Sequence, residues 1–186
     1  MPVSLPNLIT IGRILIVPLT VWLIIGHEFA LAFLAFLVAG VSDGIDGYIA
    51  RRYDLQSELG GYLDPIADKA LLVSIFVALA SLQLLPAWLA ILVVTRDILI
   101  VGAVLLAWIM DRPMAMKPVL VSKVNTVAQI AFAGALLLVL ATGMQLSALL
   151  TAGTVLVAAL TTASGGVYLR DWVRHMNGHK EKGEQP

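Results

Sequence analysis

The chain of 186 residues contains no cysteine, so it can form neither disulfides nor thiolate metal sites. Charged residues make up only 13% of it, and its 12 basic residues balance its 12 acidic ones. With no net charge, the composition gives no indication of nucleic-acid binding. Hydrophobic residues, in contrast, make up 60% of the chain. This composition argues against a soluble fold and predicts a protein that crosses a membrane several times.

Six apolar stretches are long enough to cross a bilayer, which takes about 20 helical residues. They run over residues 8–25, 29–49, 62–82, 86–108, 124–142 and 146–168. Because the connections are short, neighbouring helices are expected to run antiparallel in one bundle. The first stretch lacks the features of a cleavable signal. We therefore expect an all-α membrane domain of six helices over residues 1–174, followed by a polar, disordered tail over residues 175–186.

Lysine and arginine are distributed unevenly between the two sets of connections. The connections at residues 27–28, 81–86 and 143–147 contain neither residue type. The opposite side carries nine such residues: Arg51, Arg52, Arg112, Lys117, Lys123, Arg170, Arg174, Lys180 and Lys182. The positive-inside rule then places both termini in the cytosol. The expected location is a bacterial inner membrane, or the mitochondrial inner membrane if the protein is eukaryotic.

Two pairs of aspartates lie at the facing ends of two apolar stretches. Asp43 and Asp46 are three residues apart near the end of the second stretch, and Asp64 and Asp68 are four apart at the start of the third. Each pair shares a helix face, so two antiparallel helices can direct four carboxylates to one point. Oxygen ligands suit Mg²⁺ or Mn²⁺, and a divalent metal site is predicted. Pro65, directly after Asp64, predicts a helix start there.

The residues around the aspartates predict phosphate binding. Gly47 and Gly60 would allow a bulky ligand to approach the backbone closely. Arg51 can form a bidentate contact with phosphoryl oxygens. The alternative is that the aspartates only cap helices or pair with cations such as Arg52 and Lys69.

The run Asp43-Gly-Ile-Asp46-Gly47-Tyr-Ile-Ala50-Arg51, then eight residues, Gly60, three residues, Asp64, three residues and Asp68 resembles the complete motif of the CDP-alcohol phosphatidyltransferase family. No position of the motif departs from the pattern. The resemblance implies a membrane enzyme that moves a phosphatidyl group from CDP-diacylglycerol to an alcohol and releases CMP. It also favours a homodimer.

The same resemblance implies roles for individual residues. Asp43, Asp46 and Asp64 would be the main ligands of a site for two Mg²⁺ or Mn²⁺ ions, and Asp68 would act as a further ligand or as the general base. The CDP portion of the substrate would be held by Gly47, Ala50, Arg51 and Gly60.

Three further places could bind the acceptor alcohol. Arg13 lies inside the first apolar stretch, where it could instead extend to the lipid headgroups. Arg96, followed by Asp97, could belong to a structural ion pair or to the floor of a cavity. Lys123 and Asn125 could contact the acceptor, or serve as an interfacial anchor and an interhelical hydrogen-bonding group.

The segment Ser122-Lys123-Val124-Asn125-Thr126 is similar to that of cardiolipin synthases of the eukaryotic type, as are Arg96-Asp97 and residues 161–164. Phosphatidylglycerophosphate synthases typically have Gly-Lys-x-Lys-Thr here. A second lysine suits glycerol 3-phosphate, whose phosphomonoester is close to doubly charged, whereas phosphatidylglycerol carries one charge. We therefore expect transfer to phosphatidylglycerol, giving cardiolipin; the alternative is transfer to glycerol 3-phosphate, giving phosphatidylglycerophosphate.

A transporter of divalent cations is the competing class of function. It would need polar groups leading to the far side of the membrane. Residues 124–169 contain no Asp, Glu, Lys, Arg or His, and the opposite connections offer only His27 and Glu28. The sequence therefore favours the enzyme.

Overall fold

The computed structural model describes residues 5–52, 58–109 and 120–178, with side chains described over 10–45, 67–102 and 120–174. These parts form six α-helices and contain no strand. The helices are α1 (Leu5–Ile25), α2 (Phe29–Arg52), α3 (Glu58–Ser81), α4 (Ala87–Ile109), α5 (Leu120–Thr142) and α6 (Ser147–Gly178). The prediction of an all-α fold with six helices is confirmed.

Three of the connections are tight turns that contain a residue with a left-handed backbone. His27 follows α1 with φ 61°, Gln83 follows α3 with φ 60°, and Gly143 follows α5 with φ 68°. After α1, the backbone N–H of Glu28 donates to the carbonyl of Leu23 at 2.9 Å. Such bonds satisfy carbonyls that the end of a helix leaves without partners. The turns therefore join α1 to α2, α3 to α4 and α5 to α6 as three helical hairpins.

The predicted helix start at Asp64 is wrong. Helix α3 begins at Glu58, so Asp64 and Pro65 are its seventh and eighth residues. Pro65 has no N–H to donate to the carbonyl of Gly61, and the helix continues with one hydrogen bond fewer. Asp64 consequently lies within the helix, one turn before Asp68.

Helix α1 packs against both α2 and α3, while direct contact between the described parts of α2 and α3 is at most slight. On the other side of the bundle, α6 packs against α4 and α5, and α5 also packs against α2. Phe76 and Phe132 meet in the core, with ring centroids 6.3 Å apart. Gly153 of α6 lies so close to Phe132 that a Cβ there would come within 2.6 Å of the ring.

The outer faces of the helices carry large apolar side chains. Leu15, Trp22, Leu120 and Val127 are all more than 60% exposed. Within the described residues, Leu120–Thr142 and Ser147–Arg174 are long and apolar enough to cross a membrane. Shorter apolar helical segments span Thr10–Ile25 and Phe29–Ile45. Apolar surface of this extent is typical of contact with lipid.

Candidate active site

Arg13 brings two of the predicted site aspartates together. Its side chain is fully buried, and Nη1 lies 2.7 Å from Oδ1 of Asp43 and 2.7 Å from Oδ1 of Asp68. Asp43 belongs to α2 and Asp68 to α3, and α1 packs against both helices. Asp43 and Asp68 thus approach each other from separate helices, and the convergence of all four aspartates stays a prediction. The alternative that Arg13 extends to the lipid headgroups is wrong, because its guanidinium points into the bundle.

The two carboxylates remain accessible although their arginine is buried. The side chains of Asp43 and Asp68 are 44% and 47% exposed. A cavity of about 380 Å³ opens beside all three charged residues. The rest of its lining is mostly apolar and includes Phe36 and Leu72. The cavity therefore offers charge at one end and a hydrocarbon surface elsewhere, which fits an amphipathic ligand.

The other predicted residues of the motif lie on the same two helices, but their side chains fall outside the described residues. These are Asp46, Gly47, Ala50 and Arg51 on α2, and Gly60 and Asp64 on α3. Among the described side chains, no group of three or more His, Cys, Asp or Glu residues could hold a metal ion.

The described part of the cluster nevertheless fits a divalent cation. Its donors are carboxylate oxygens, which hard cations prefer. The Oδ1 atoms of Asp43 and Asp68 each lie 2.7 Å from one positively charged nitrogen, so both already contact a cation.

A second buried arginine, Arg96, links α4, α5 and α6. Nη1 lies 2.6 Å from Oδ1 of Asp97, while Nε and Nη2 donate to Oγ of Ser164 at 3.2 and 2.6 Å. Nη2 also donates to Oγ of Ser122, and the guanidinium carbon lies 5.7 Å from the ring centroid of Tyr168. The structural ion pair predicted as one alternative for Arg96 and Asp97 is thus present.

Lys69 completes this second cluster. Its Nζ lies 2.7 and 2.8 Å from the two carboxylate oxygens of Asp97, and its side chain is 39% exposed. From the sequence, Lys69 is expected only as a partner of the motif aspartates. The missed signal is Asp97 itself, because a carboxylate in an apolar helix needs a cation on a neighbouring helix.

Asn125 takes part in an interhelical network. Its Oδ1 accepts a hydrogen bond from Thr161 Oγ1 at 2.9 Å, and Gln129 Nε2 donates to the same hydroxyl at 3.2 Å. Asn125 and Gln129 are fully buried, and Nδ2 of the first and Oε1 of the second have no hydrogen-bond partner among the described residues. The structure thus supports the interhelical alternative for Asn125. Lys123, two residues earlier, is exposed.

The sequence profile of the CDP-alcohol phosphatidyltransferase family matches residues 3–163. The chain therefore belongs to this family, as the aspartate motif predicted.

Curated relatives include enzymes that use different acceptors. The chain is 34% identical over 145 residues to the cardiolipin synthase (CMP-forming) of Homo sapiens, a match covering 69% of this chain and 48% of the relative. It is 36% identical over 152 residues to the chloroplastic CDP-diacylglycerol–glycerol-3-phosphate 3-phosphatidyltransferase 1 of Oryza sativa subsp. japonica, covering 73% and 46%.

A bacterial relative is matched over more of its length. The CDP-diacylglycerol–glycerol-3-phosphate 3-phosphatidyltransferase of Bacillus subtilis (strain 168) is 34% identical over 150 residues, which cover 73% of this chain and 77% of the relative. The chain spans about half the length of the rice and human relatives.

Proposed function

We propose that this protein transfers a phosphatidyl group from CDP-diacylglycerol to phosphatidylglycerol, giving cardiolipin and CMP. The observation that carries the proposal is the convergence of Asp43 and Asp68 on Arg13, at the charged end of an otherwise apolar cavity. Membership of the CDP-alcohol phosphatidyltransferase family supports the same reaction.

In the proposed reaction, the acceptor hydroxyl attacks the phosphorus that carries the diacylglycerol group. A new P–O bond forms, the bond to the bridging oxygen of the pyrophosphate breaks, and CMP leaves with that oxygen. Asp68 takes the hydroxyl proton, since its carboxylate is half exposed beside the cavity. Its ion pair with Arg13 fixes the position of one carboxylate oxygen.

The proposed metal site consists of Asp43, Asp46, Asp64 and Asp68. Mg²⁺ or Mn²⁺, with two ions as the proposed number, would supply electrostatic stabilisation of the pyrophosphate and of the departing CMP. Arg51, with Gly47, Ala50 and Gly60, is proposed to hold the CDP portion of the substrate.

The acceptor is proposed to bind near the second cluster, where positive charge is in excess. Asp97 pairs with both Arg96 and Lys69, so these three side chains carry one net positive charge. A singly charged phosphodiester matches that charge. The guanidinium of Arg96 already donates to Asp97, Ser122 and Ser164, and Lys69 already donates to both oxygens of Asp97. The exposed Lys123 is therefore better placed for direct contact.

Glycerol 3-phosphate remains the second candidate acceptor, because the rice and Bacillus subtilis relatives are named for it. The decisive test supplies purified protein with CDP-diacylglycerol and either acceptor, and separates the products by charge. Cardiolipin as the main product supports the proposal. Preferential formation of phosphatidylglycerophosphate would identify glycerol 3-phosphate as the acceptor, and the proposed carboxylate site would still stand. Absence of CMP release with both acceptors would refute the enzyme and favour cation transport.

We further propose that all six helices cross the membrane, within a catalytic domain that extends past the expected limit at residue 174 to the end of α6 at Gly178. The exposed apolar faces support this arrangement. Lys and Arg bias would place both termini and the aspartates on the cytosolic side, in a bacterial or mitochondrial inner membrane. There the nucleotide stays in water while the acyl chains stay in lipid. A homodimer is the proposed assembly.

A further inference from the structure

We propose that Arg13 is the internal counter-ion of the carboxylate cluster. It holds Asp43 and Asp68 together in the metal-free protein and partly gives up this role when divalent cations bind. This makes Arg13 a positioning residue, in place of the acceptor contact expected from the sequence. The inference rests on the proposed function, because it assumes that the cluster binds metal.

The geometry gives Arg13 this role. One nitrogen, Nη1, lies 2.7 Å from a carboxylate oxygen on each of two helices. These two oxygens can be no further apart than twice that distance. Without the guanidinium, the two carboxylates would lose the positive charge that lies close to both, and like charges so close repel strongly.

The burial of the three side chains is unequal, and this matters for exchange with a metal. Arg13 is fully buried, whereas Asp43 and Asp68 are almost half exposed to the cavity. A cation arriving through the cavity can therefore reach the carboxylates without moving the arginine into solvent. It must, however, share the carboxylates with a positive charge that is already present, so Arg13 weakens metal binding while it stabilises the metal-free state.

The alternative is that Arg13 only joins α1 to its neighbours by packing and ion pairing. In that case its loss would destabilise the metal-free and the metal-loaded protein equally. An internal counter-ion predicts a difference instead, because a bound divalent cation takes over the neutralisation of the carboxylates. By linkage, a variant without Arg13 that is stabilised more by the metal than the unmodified protein must also bind the metal more tightly.

The test measures the melting temperature of purified protein in detergent micelles, in EDTA and in saturating Mn²⁺, together with the Kd for Mn²⁺. Arg13→Gln is expected to lower the metal-free melting temperature by roughly 5 °C or more, because breaking a buried ion pair is costly. The melting temperature in Mn²⁺ should stay near that of the unmodified protein, and Mn²⁺ should bind about tenfold more tightly. Arg13→Lys should retain much of the metal-free stability, since it keeps the charge.

Arg96→Gln is the matched control, because Arg96 is also a buried arginine but pairs away from the cavity with Asp97. It should lower both melting temperatures equally. The double variant Arg13→Gln with Asp68→Asn should recover metal-free stability relative to Arg13→Gln alone, because one of the facing negative charges is gone.

Each outcome decides between the two roles. If Arg13→Gln lowers the melting temperature equally with and without Mn²⁺, or leaves the Kd for Mn²⁺ unchanged, Arg13 is not the internal counter-ion. If Arg13→Gln does not fold in EDTA, folding in Mn²⁺ supports the proposal, and failure in both conditions contradicts it. If Mn²⁺ stabilises neither the unmodified protein nor any variant, the proposed metal site itself fails, which is a separate result.

Discussion

The two buried arginines of the bundle have opposite surroundings. Arg13 pairs with two half-exposed carboxylates at a cavity, which leaves its three-residue cluster with one net negative charge. Arg96 shares one carboxylate, Asp97, with Lys69 and also donates to the hydroxyl groups of Ser122 and Ser164. With two cations and one carboxylate, its cluster has one net positive charge. The first cluster can accept a further cation, and the second can accept an anion.

This contrast shows that a buried arginine does not define a site by itself. What distinguishes the clusters is the number of carboxylates and their exposure: Asp43 and Asp68 are 44% and 47% exposed, and Asp97 is 12% exposed. The proposed chemistry of each region follows from that balance of charge.

The largest expected effect is on the negative cluster. Asp68→Asn should reduce turnover about 10²- to 10⁴-fold, because an amide cannot take the acceptor proton, while binding of CDP-diacylglycerol is reduced less. Asp43→Asn should abolish transfer and weaken Mn²⁺ binding, and Asp46→Asn and Asp64→Asn should do the same. CMP release and a Mn²⁺ titration measure these effects. Asp171→Asn on α6 serves as the control, and substantial activity in any two of the motif variants would contradict the assignment.

Arg51 should show the next largest effect. Arg51→Ala is expected to raise the KM for CDP-diacylglycerol by about 10- to 100-fold, because the charge-assisted hydrogen bonds of the guanidinium are lost. Arg51→Lys should recover this only in part, because a lysine cannot form the bidentate contact. Arg52 is the matched control, since it lies about 100° around the helix. Equal losses from Arg51→Ala and Arg52→Ala would contradict the distinction.

Asp97→Asn tests the positive cluster. It should lower the free energy of unfolding by about 2–3 kcal/mol, because it leaves a buried guanidinium without its carboxylate; the value is below the range for fully buried pairs, since Lys69 is partly exposed. The KM for the acceptor should change more than the KM for CDP-diacylglycerol. Lys69→Gln should cost less stability, because Lys69 is 39% exposed. If Asp97→Asn and Lys69→Gln lower the free energy of unfolding equally, the Arg96–Asp97 pair contributes no more stability than the Lys69–Asp97 pair.

Lys123 allows the acceptor to be tested without disturbing the core. Because the side chain is exposed, Lys123→Ala should leave the melting temperature unchanged. The KM for phosphatidylglycerol should rise about tenfold with the loss of one charge-assisted contact, and Lys123→Arg should retain most of the affinity. Steady-state kinetics with each substrate varied in turn would separate the two KM values. An equal rise in the KM for CDP-diacylglycerol would argue against an acceptor role.

The smallest effects should come from the hydroxyl partners of Arg96. Ser164 accepts two hydrogen bonds from the guanidinium and Ser122 accepts one. Ser164→Ala should therefore lower the free energy of unfolding by about 1–2 kcal/mol, and Ser122→Ala by less. Thr162→Ala is the control, since its exposed hydroxyl bonds only to the carbonyl of Ala158. Unfolding in denaturant measures these losses. A greater loss of unfolding free energy in Ser122→Ala than in Ser164→Ala would contradict the expected order.

Apolar length alone was sufficient to predict the six helices, and the motif spacing predicted that Asp43 and Asp68 meet. The start of α3 was missed because the Asp64–Pro65 pair is typical of a helix start, whereas the helix extends back to Glu58. Local sequence rules cannot show that the helical turns before and after a proline keep it inside a continuous helix.

The ion-pair partners of the charged residues could not be predicted from the sequence. Arg13 is 55 residues away from Asp68, and Lys69 is 28 residues away from Asp97. Such pairs depend on which helices pack together, and the wedging of α1 between α2 and α3 cannot be read from apolar periodicity. The same holds for Asn125, whose hydrogen bond to Thr161 depends on the packing of α5 against α6.

The three helical hairpins described above suggest how the bundle is put together during synthesis. Among the described residues, each hairpin contains at least one polar link between its two helices: Arg13 with Asp43, Lys69 with Asp97, and Thr161 with Asn125 and Gln129. These links can form as soon as the two helices of a hairpin are side by side, before the rest of the chain exists.

The two arginines then act between hairpins. Arg13 joins the first hairpin to the second through Asp68, and Arg96 joins the second to the third through Ser122 and Ser164. The carboxylate cluster is consequently completed only when the second hairpin docks on the first. A chain interrupted after its first hairpin would carry a paired Arg13 and Asp43 but not the rest of the proposed site, so the proposed activity would appear only at a late stage of assembly.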